Sequence, residues 1–239
     1  MSMSFGWSPF ARSCAAFALP ALRPLLLVGL LGCAGGASLG GAASGPEGKS
    51  SLEGVTLAAP AVAAGQAEAV FAGGCFWCME GPFERVPGVI SVESGYTGGP
   101  VPGPAYKAVS AGVTGHTEAI RVVYDPALVS YAALLEVFWV NIDPTQANGQ
   151  FCDRGTQYRS GIFPGNVEER RLAEASKQGA GQKLGQPIVT EITDKQTFWL
   201  AEDYHQDFYK KEPDHYNRYR AGCGRDRRLQ ELWGEAAAH

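Results

Sequence analysis

The sequence predicts an α+β fold: a split βαβ (ferredoxin-like) core with a mostly antiparallel sheet, extra helices and a long C-terminal coil. Three observations predict it. From residue 68 to residue 163 the patterns run strand, helix, strand, strand, helix, strand, the order of the split βαβ unit. Residues 117–124 alternate Ala119, Arg121, Val123 against Ile120, Val122, Tyr124, as a strand between two environments must. Residues 131–141 place Leu134, Leu135, Phe138 and Trp139 on one face, as a helix packed on a sheet must. The strand order follows from the βαβ analogy; periodicity alone does not fix it.

The elements follow in order. Residues 68–72 hold the apolar run Ala69-Val70-Phe71-Ala72 and read as a buried strand. Gly73-Gly74 lets the backbone turn sharply. Residues 75–85 read as a helix that Pro82 makes short or kinked. Residues 89–95 read as a strand, and residues 97–105, dense in Gly and Pro, as a loop. Asp125-Pro126 closes the strand at 117–124, and Ser130 caps the next helix. Residues 143–156 read as a loop and residues 157–163 as a strand. Asn166 caps an amphipathic helix over 167–183. A strand at 187–192, a partly helical 197–211 and a terminal helix at 226–233 complete the chain.

The chain has 239 residues, and its first 66 differ from the rest. Arg12 and Arg23 precede and flank an apolar core, Leu25 to Leu31, too brief to span a bilayer. Residues 1–33 therefore read as an export signal. Leu30-Leu31-Gly32-Cys33 resembles a bacterial lipoprotein cleavage box, which makes Cys33 a lipidation candidate; Leu31 is bulkier than the usual occupant. The alternative is plain cleavage in the following Ala/Gly run. Residues 34–66 are rich in Ala, Gly, Ser and Pro and read as a flexible linker, leaving 67–239 as the catalytic domain. Without Arg12 and Arg23 the chain keeps 18 basic against 24 acidic residues, a net charge of −6. Nucleic acid, which needs a basic face, is excluded as a main partner. The expected location is the periplasm, or a bacterial membrane through a lipid anchor, and the expected state is a monomer.

Cys75 follows the glycine pair and opens the first predicted helix. Unpaired N–H groups and the helix dipole favour a thiolate there, so Cys75 is read as a nucleophile. A Cys beside aromatics can also be a plain core residue. Cys75 and Cys78 form a Cys-x-x-Cys, which fits redox chemistry or half a zinc site. Cys152 and Cys223 are isolated and the histidines are not paired, so zinc is disfavoured. Tyr106, Glu118, Asp153 and Tyr158 follow or lie in turn-rich stretches. A thiol, an acid and two phenols suffice for substitution at sulfur in which a departing oxygen must be protonated.

Six segments carry a resemblance. They are Gly74-Cys75-Phe76-Trp77, Gly95-Tyr96-Thr97-Gly98-Gly99, Thr114-Gly115-His116-Thr117-Glu118-Ala119, Asp143-Pro144-Thr145-Gln146, residues 153–163, and Ala201-Glu202-Asp203-Tyr204-His205-Gln206. In this order they resemble the A-type peptide methionine sulfoxide reductases. The resemblance implies that Cys75 attacks the sulfoxide sulfur and Glu118 protonates its oxygen. It implies that Tyr106 and Tyr158 hydrogen-bond that oxygen and that Asp153 orders the pocket. Phe76 and Trp77 are similar to the family's apolar wall for the substrate methyl. It further implies the S epimer as substrate and a thioredoxin-like donor, with no metal or organic cofactor.

A second thiol can condense with a Cys75 sulfenic acid to a disulfide. Cys223, Cys78 and Cys152 all remain candidates, and Cys223, flanked by glycines, leads. Many family members have Gly at the position of Cys78, and some lack Cys152. His205 reads as structural. The competing functions are a thiol–disulfide oxidoreductase using Cys75 and Cys78, and a non-catalytic module that clasps methionine.

Overall fold

The computed structural model describes residues 55–237; the segment expected to be an export signal at 1–33, the lipidation candidate Cys33 and the expected linker up to residue 54 lie outside them. Ala67–Gly73 forms β1, whose alternate residues face two environments. Ala69 and Phe71 point into the main core, Val70 and Ala72 into a smaller one. Trp77–Glu84 forms α1, held to eight residues with Pro82 inside it. Val89–Thr97 is β2, Tyr106–Ser110 the short α2, and Thr117–Tyr124 β3, buried at every position. Tyr131–Val140 is α3, whose Ser130 hydroxyl accepts from the Ala133 N–H at its start.

The loop that follows carries a small hairpin, Gly149–Gln150 (β4) against Asp153–Arg154 (β5). A 3-10 turn at Thr156–Tyr158 leads into Ser160–Ile162 (β6). Val167–Leu184 is α4, capped by Asn166 and stopped by Gly185 in a left-handed conformation. Glu191–Ile192 (β7) and Trp199–Leu200 (β8) are short edge strands. Phe208–Lys211 (α5), Pro213–Cys223 (α6) and Arg225–Trp233 (α7) end the description.

The fold is mixed α+β. The sheet runs β7-β6-β1-β3-β2-β8, antiparallel except for the β6–β7 pair. Phe71 packs centroid to centroid with Phe83 of α1 at 5.4 Å and with Phe138 of α3 at 5.2 Å. Burying such aromatics contributes about 2–3 kcal/mol each.

Three expectations need correction. The C-terminal segment is not a coil: α5, α6 and α7 cover most of 208–233. Its apolar residues, among them Phe208, Leu229 and Trp233, are buried, and Gly224 turns α6 into α7 at φ +67°. The end of the expected linker is also structured. Thr56 donates to the Pro104 carbonyl at 2.9 Å, and the Ala59 N–H donates to Phe198 at 2.8 Å. The buried guanidinium of Arg121 reaches the Pro60 carbonyl at 2.6 Å while pairing with Glu68 and Glu93. Residues 55–60 thus help to cover the sheet face bearing Val70 and Ala72, and the domain starts before residue 67. Finally, the strand expected over 157–163 spans only 160–162, because the 3-10 turn takes its first residues.

Candidate active site

Gly74 sets the entry to the site. Its φ is +82°, and a Cβ there would lie 2.5 Å from Cβ of Gln150. The close approach turns the chain from β1 so that Cys75, Phe76 and Trp77 fall together over the ends of β2 and β3. Glu118 comes from the second residue of β3, paired in register with Tyr96 of β2. The Phe76 N–H donates to Glu118 Oε2 at 3.1 Å.

One cavity of about 150 Å³ is lined by Cys75, Phe76, Trp77, Tyr106, Glu118, Asp153, Tyr158 and Tyr219. The structure therefore brings all seven expected catalytic and substrate-wall residues to one place. A larger recess of about 300 Å³, lined by Pro82, Tyr216 and Arg220 among others, contains neither Cys75 nor Glu118.

The walls are held from behind. Trp77 stacks on Phe208 at 3.8 Å and donates its indole N–H to His205 Nδ1 at 3.1 Å. His205 packs against Tyr106 at 4.3 Å and Phe76 at 5.0 Å, and burial pulls its pKa down to about 4. It stays neutral and acts as a wedge, as expected of a structural residue. Glu202 accepts from the Tyr96 hydroxyl at 2.8 Å and from the Tyr106 N–H at 2.9 Å, which fixes the start of α2. The sequence placed Glu202 in a matching segment and gave it no role.

Burial dominates the electrostatics. It pushes the Glu118 carboxyl up to about 8, so the acid keeps its proton at neutral pH. It pushes Tyr106 up to about 12 and Tyr158 upward too, which keeps both hydroxyls as donors. Asp153 is raised by burial and partly restored by the Tyr219 hydroxyl, which donates to Oδ2 at 2.5 Å.

The two thiols divide one charge. Burial, the Cys78 sulfur and Glu118 drive Cys75 well above the ordinary thiol range. Cys78 is lowered to about 6, first by the hydrogen bond from Cys75 and then, against burial, by Arg225 and Arg220. The expectation that the helix start makes Cys75 the thiolate is corrected. Cys75 lies two residues before α1 and is 6 % exposed, so desolvation outweighs the dipole. Burial thus disfavours a thiolate at Cys75, and the hydrogen bond from Cys75 favours one at Cys78.

Cys152 and Cys223 form a disulfide with each other, while Cys75 and Cys78 are free and buried. Neither Cys152 nor Cys223 is held as a free thiol ready for Cys75. Their sulfurs and Asp153 lie within 4.8 Å, but bonded sulfurs offer no thiolate to a metal. Two further residues escaped sequence reasoning. Tyr219 lines the cavity from α6, an element the sequence did not announce. Arg225 is buried, donates to the carbonyls of Gly73 at 3.1 Å and Asn141 at 2.7 Å, and covers Phe151 at 4.5 Å. A lone Arg after Gly-Cys-Gly carries no periodic signal.

Known proteins match the chain in sequence and in fold. Residues 67–237 match the family model described as peptide methionine sulfoxide reductase. The chain is 51 % identical over 168 residues to peptide methionine sulfoxide reductase MsrA of Bacillus subtilis, covering 70 % of this chain and 95 % of that one. The corresponding protein of Bacillus licheniformis is 49 % identical, with 70 % and 93 % covered. Among solved structures, reduced Mxr1 from Saccharomyces cerevisiae superposes with a TM-score of 0.61 at 31 % identity, over 64 % of this chain and 90 % of that one. Methionine sulfoxide reductase A of Corynebacterium diphtheriae gives 0.60 at 34 % identity, over 63 % and 77 %. With a buried thiol and a protonated acid in one aromatic cavity, and with these relatives, the chain belongs to the peptide methionine sulfoxide reductase family and is a peptide-methionine (S)-S-oxide reductase.

Proposed function

We propose that the cavity takes the methyl sulfoxide of an oxidised methionine, in proteins and as the free amino acid, with the methyl against Phe76 and Trp77. The observation that carries this is the pairing of Cys75 with a neutral Glu118 in one desolvated cavity. Tyr106 and Tyr158 donate to the sulfoxide oxygen as charge grows on it. The Cys75 sulfur attacks the sulfoxide sulfur while its proton passes to the Cys78 thiolate. Glu118 gives its proton to the oxygen, which passes to Cys75. Methionine leaves, and Cys75 is left as a sulfenic acid.

Cys78 then resolves it. Its sulfur attacks Cys75, a Cys75–Cys78 disulfide forms and water departs. Three findings support Cys78 over Cys223 and Cys152: it contacts Cys75, it ionises first, and the other two are bonded together. A thioredoxin-like dithiol restores both thiols and becomes a disulfide itself. Its electrons are the only ones required, so the scheme uses no metal or organic cofactor. One chain supplies every cavity residue, which supports action as a monomer. The strand order supports a split βαβ assignment, with β3 between β1 and β2 and β6 outside β1. The basic flank and apolar core of residues 1–33 support export, with Cys33 as the lipidation candidate and damaged envelope proteins as substrates.

The test is a single turnover of peptide methionine-S-sulfoxide by the pre-reduced enzyme, followed by mass mapping of its disulfides. One methionine per chain and a Cys75–Cys78 bridge are expected. A bridge from Cys75 to Cys223 or Cys152 would overturn the resolving assignment. A second reading, exchange with protein disulfides, is favoured by the acidic Cys78 thiol. It requires no role for Glu118, and undiminished sulfoxide turnover in Glu118→Gln would support it.

A further inference from the structure

Helix α6 lies over the cavity without a fully buried residue of its own. Its half-buried positions are Tyr216, Tyr219, Arg220 and Cys223, one helical stripe at i, i+3, i+4 and i+7. A helix with so little burial is not seated by the hydrophobic effect alone. His215 at its start meets Trp77 edge to face at 6.0 Å, and a hydrogen bond and a disulfide tie its inward face to the β4–β5 hairpin. The Tyr219 hydroxyl donates to Asp153 Oδ2 at 2.5 Å. One turn later Cys223 is bonded to Cys152, the neighbour of Asp153, with 4.9 Å between the Cα atoms. The two links are adjacent at both ends. Tyr219 also meets Trp77 edge to face at 5.9 Å and reaches the Cys75 sulfur.

We propose that the Cys152–Cys223 disulfide is a fixed staple outside the catalytic cycle that seats Tyr219, a positioning residue, against Asp153 and Trp77 in the substrate cavity. This rests on the reading that Cys78 resolves Cys75. The bond spans 71 residues of sequence, so breaking it frees the end of α6 from the β4–β5 hairpin. Tyr219 then leaves the rim, Asp153 loses its donor, and the Trp77 face is no longer closed from above. The cost falls on substrate binding, because the thiols, Glu118, Tyr106 and Tyr158 sit on other elements.

The experiment compares Cys152→Ala/Cys223→Ala, Tyr219→Phe, the triple variant and Cys78→Ala, with a peptide methionine-S-sulfoxide, a thioredoxin-like protein as the only reductant, and mass mapping to confirm that the Cys152–Cys223 bond stays closed in Tyr219→Phe and the unchanged enzyme. The stapleless enzyme is expected to keep cycling with kcat nearly unchanged and KM raised roughly fivefold, the effect of about one lost hydrogen bond. Amide exchange across residues 213–223 should quicken. Tyr219→Phe should raise KM similarly without quickening that exchange. The triple variant should show little more than either, because both changes remove the same contact. Unchanged KM and exchange in the stapleless enzyme overturn the proposal, as do effects that multiply in the triple variant. Should the stapleless enzyme fail to fold, an unchanged KM in Tyr219→Phe is enough to overturn it. The reading of Cys78 fails separately: Cys78→Ala would then cycle normally while the stapleless enzyme stops after one turnover. Cys78→Ala that stops, beside a stapleless enzyme of unchanged KM, overturns the staple alone.

Discussion

The backbone N–H of Phe76 donates to the Glu118 carboxyl at 3.1 Å, so the residue after the nucleophile fixes the acid. Thiol and proton donor are thus set against each other by main chain. No flexible side chain intervenes, and the pairing of Tyr96 with Glu118 holds the second partner in the sheet.

This link makes Glu118→Gln a clean test. A glutamine oxygen can still accept from Phe76, so the fold should survive. The variant cannot protonate a departing oxygen. The first-turnover rate should fall by about 10²–10⁴, the usual worth of a general acid. Stopped-flow measurement of methionine formation, with circular dichroism as the check on folding, reads both outcomes.

The rate of the first turnover should depend on pH as a bell. Its acid limb should lie near 6, where the thiol pair loses its first proton from Cys78. Its alkaline limb should lie near 8, where Glu118 loses the proton it must donate. In Cys78→Ala the acid limb should move upward, because Cys75 must then ionise alone against burial. A pH series on both proteins gives the limbs directly.

Glu80 offers a stability test away from the chemistry. It is buried on α1, accepts from the Ser94 hydroxyl at 2.9 Å and the Asp207 N–H at 3.2 Å, and burial raises it to about 7 from an ordinary 4.5. Between those values the folded chain keeps a proton that the unfolded chain releases. The stabilisation is full below 4.5 and is lost as pH rises through 7. Glu80→Gln removes the buried charge and keeps the acceptor. Relative to the unchanged protein it should gain on the order of 1–3 kcal/mol between pH 4 and pH 8. Denaturant titrations at the two pH values measure the gain.

Gly74→Ala should destabilise by about 2 kcal/mol or more, since it combines a positive φ with overpacking. The added methyl would meet Gln150, which is itself held by the Asp143 backbone through bonds of 2.9 Å and 2.7 Å. A melting temperature lowered by several degrees, with activity lost in proportion, is the expected outcome.

The sequence alone determined the α+β class, the long elements and most of the site. β1, β3, α3 and α4 were legible because burial on one face leaves a period in the chain, and because Ser130 and Asn166 mark helix starts. Cys75 was legible from the glycine pair, the helix start and the second thiol at Cys78, whereas the roles of Glu118, Tyr106, Tyr158 and Asp153 came from the resemblance carried by the six segments. Other features came from contacts between distant residues, which leave no period. Residues 55–60 joined the domain through Arg121 and Phe198. Tyr219 reached the cavity on a helix whose stripe of tyrosines and an arginine resembles a solvated face. The thiols were decided last. Spacing alone kept Cys78, Cys152 and Cys223 all open, with Cys223 ahead for its flanking glycines. The fold paired Cys152 with Cys223 and buried Cys75 with Cys78, because a disulfide needs two Cα atoms brought within a few ångströms, and only the packing of α6 on the β4–β5 hairpin does that across 71 residues.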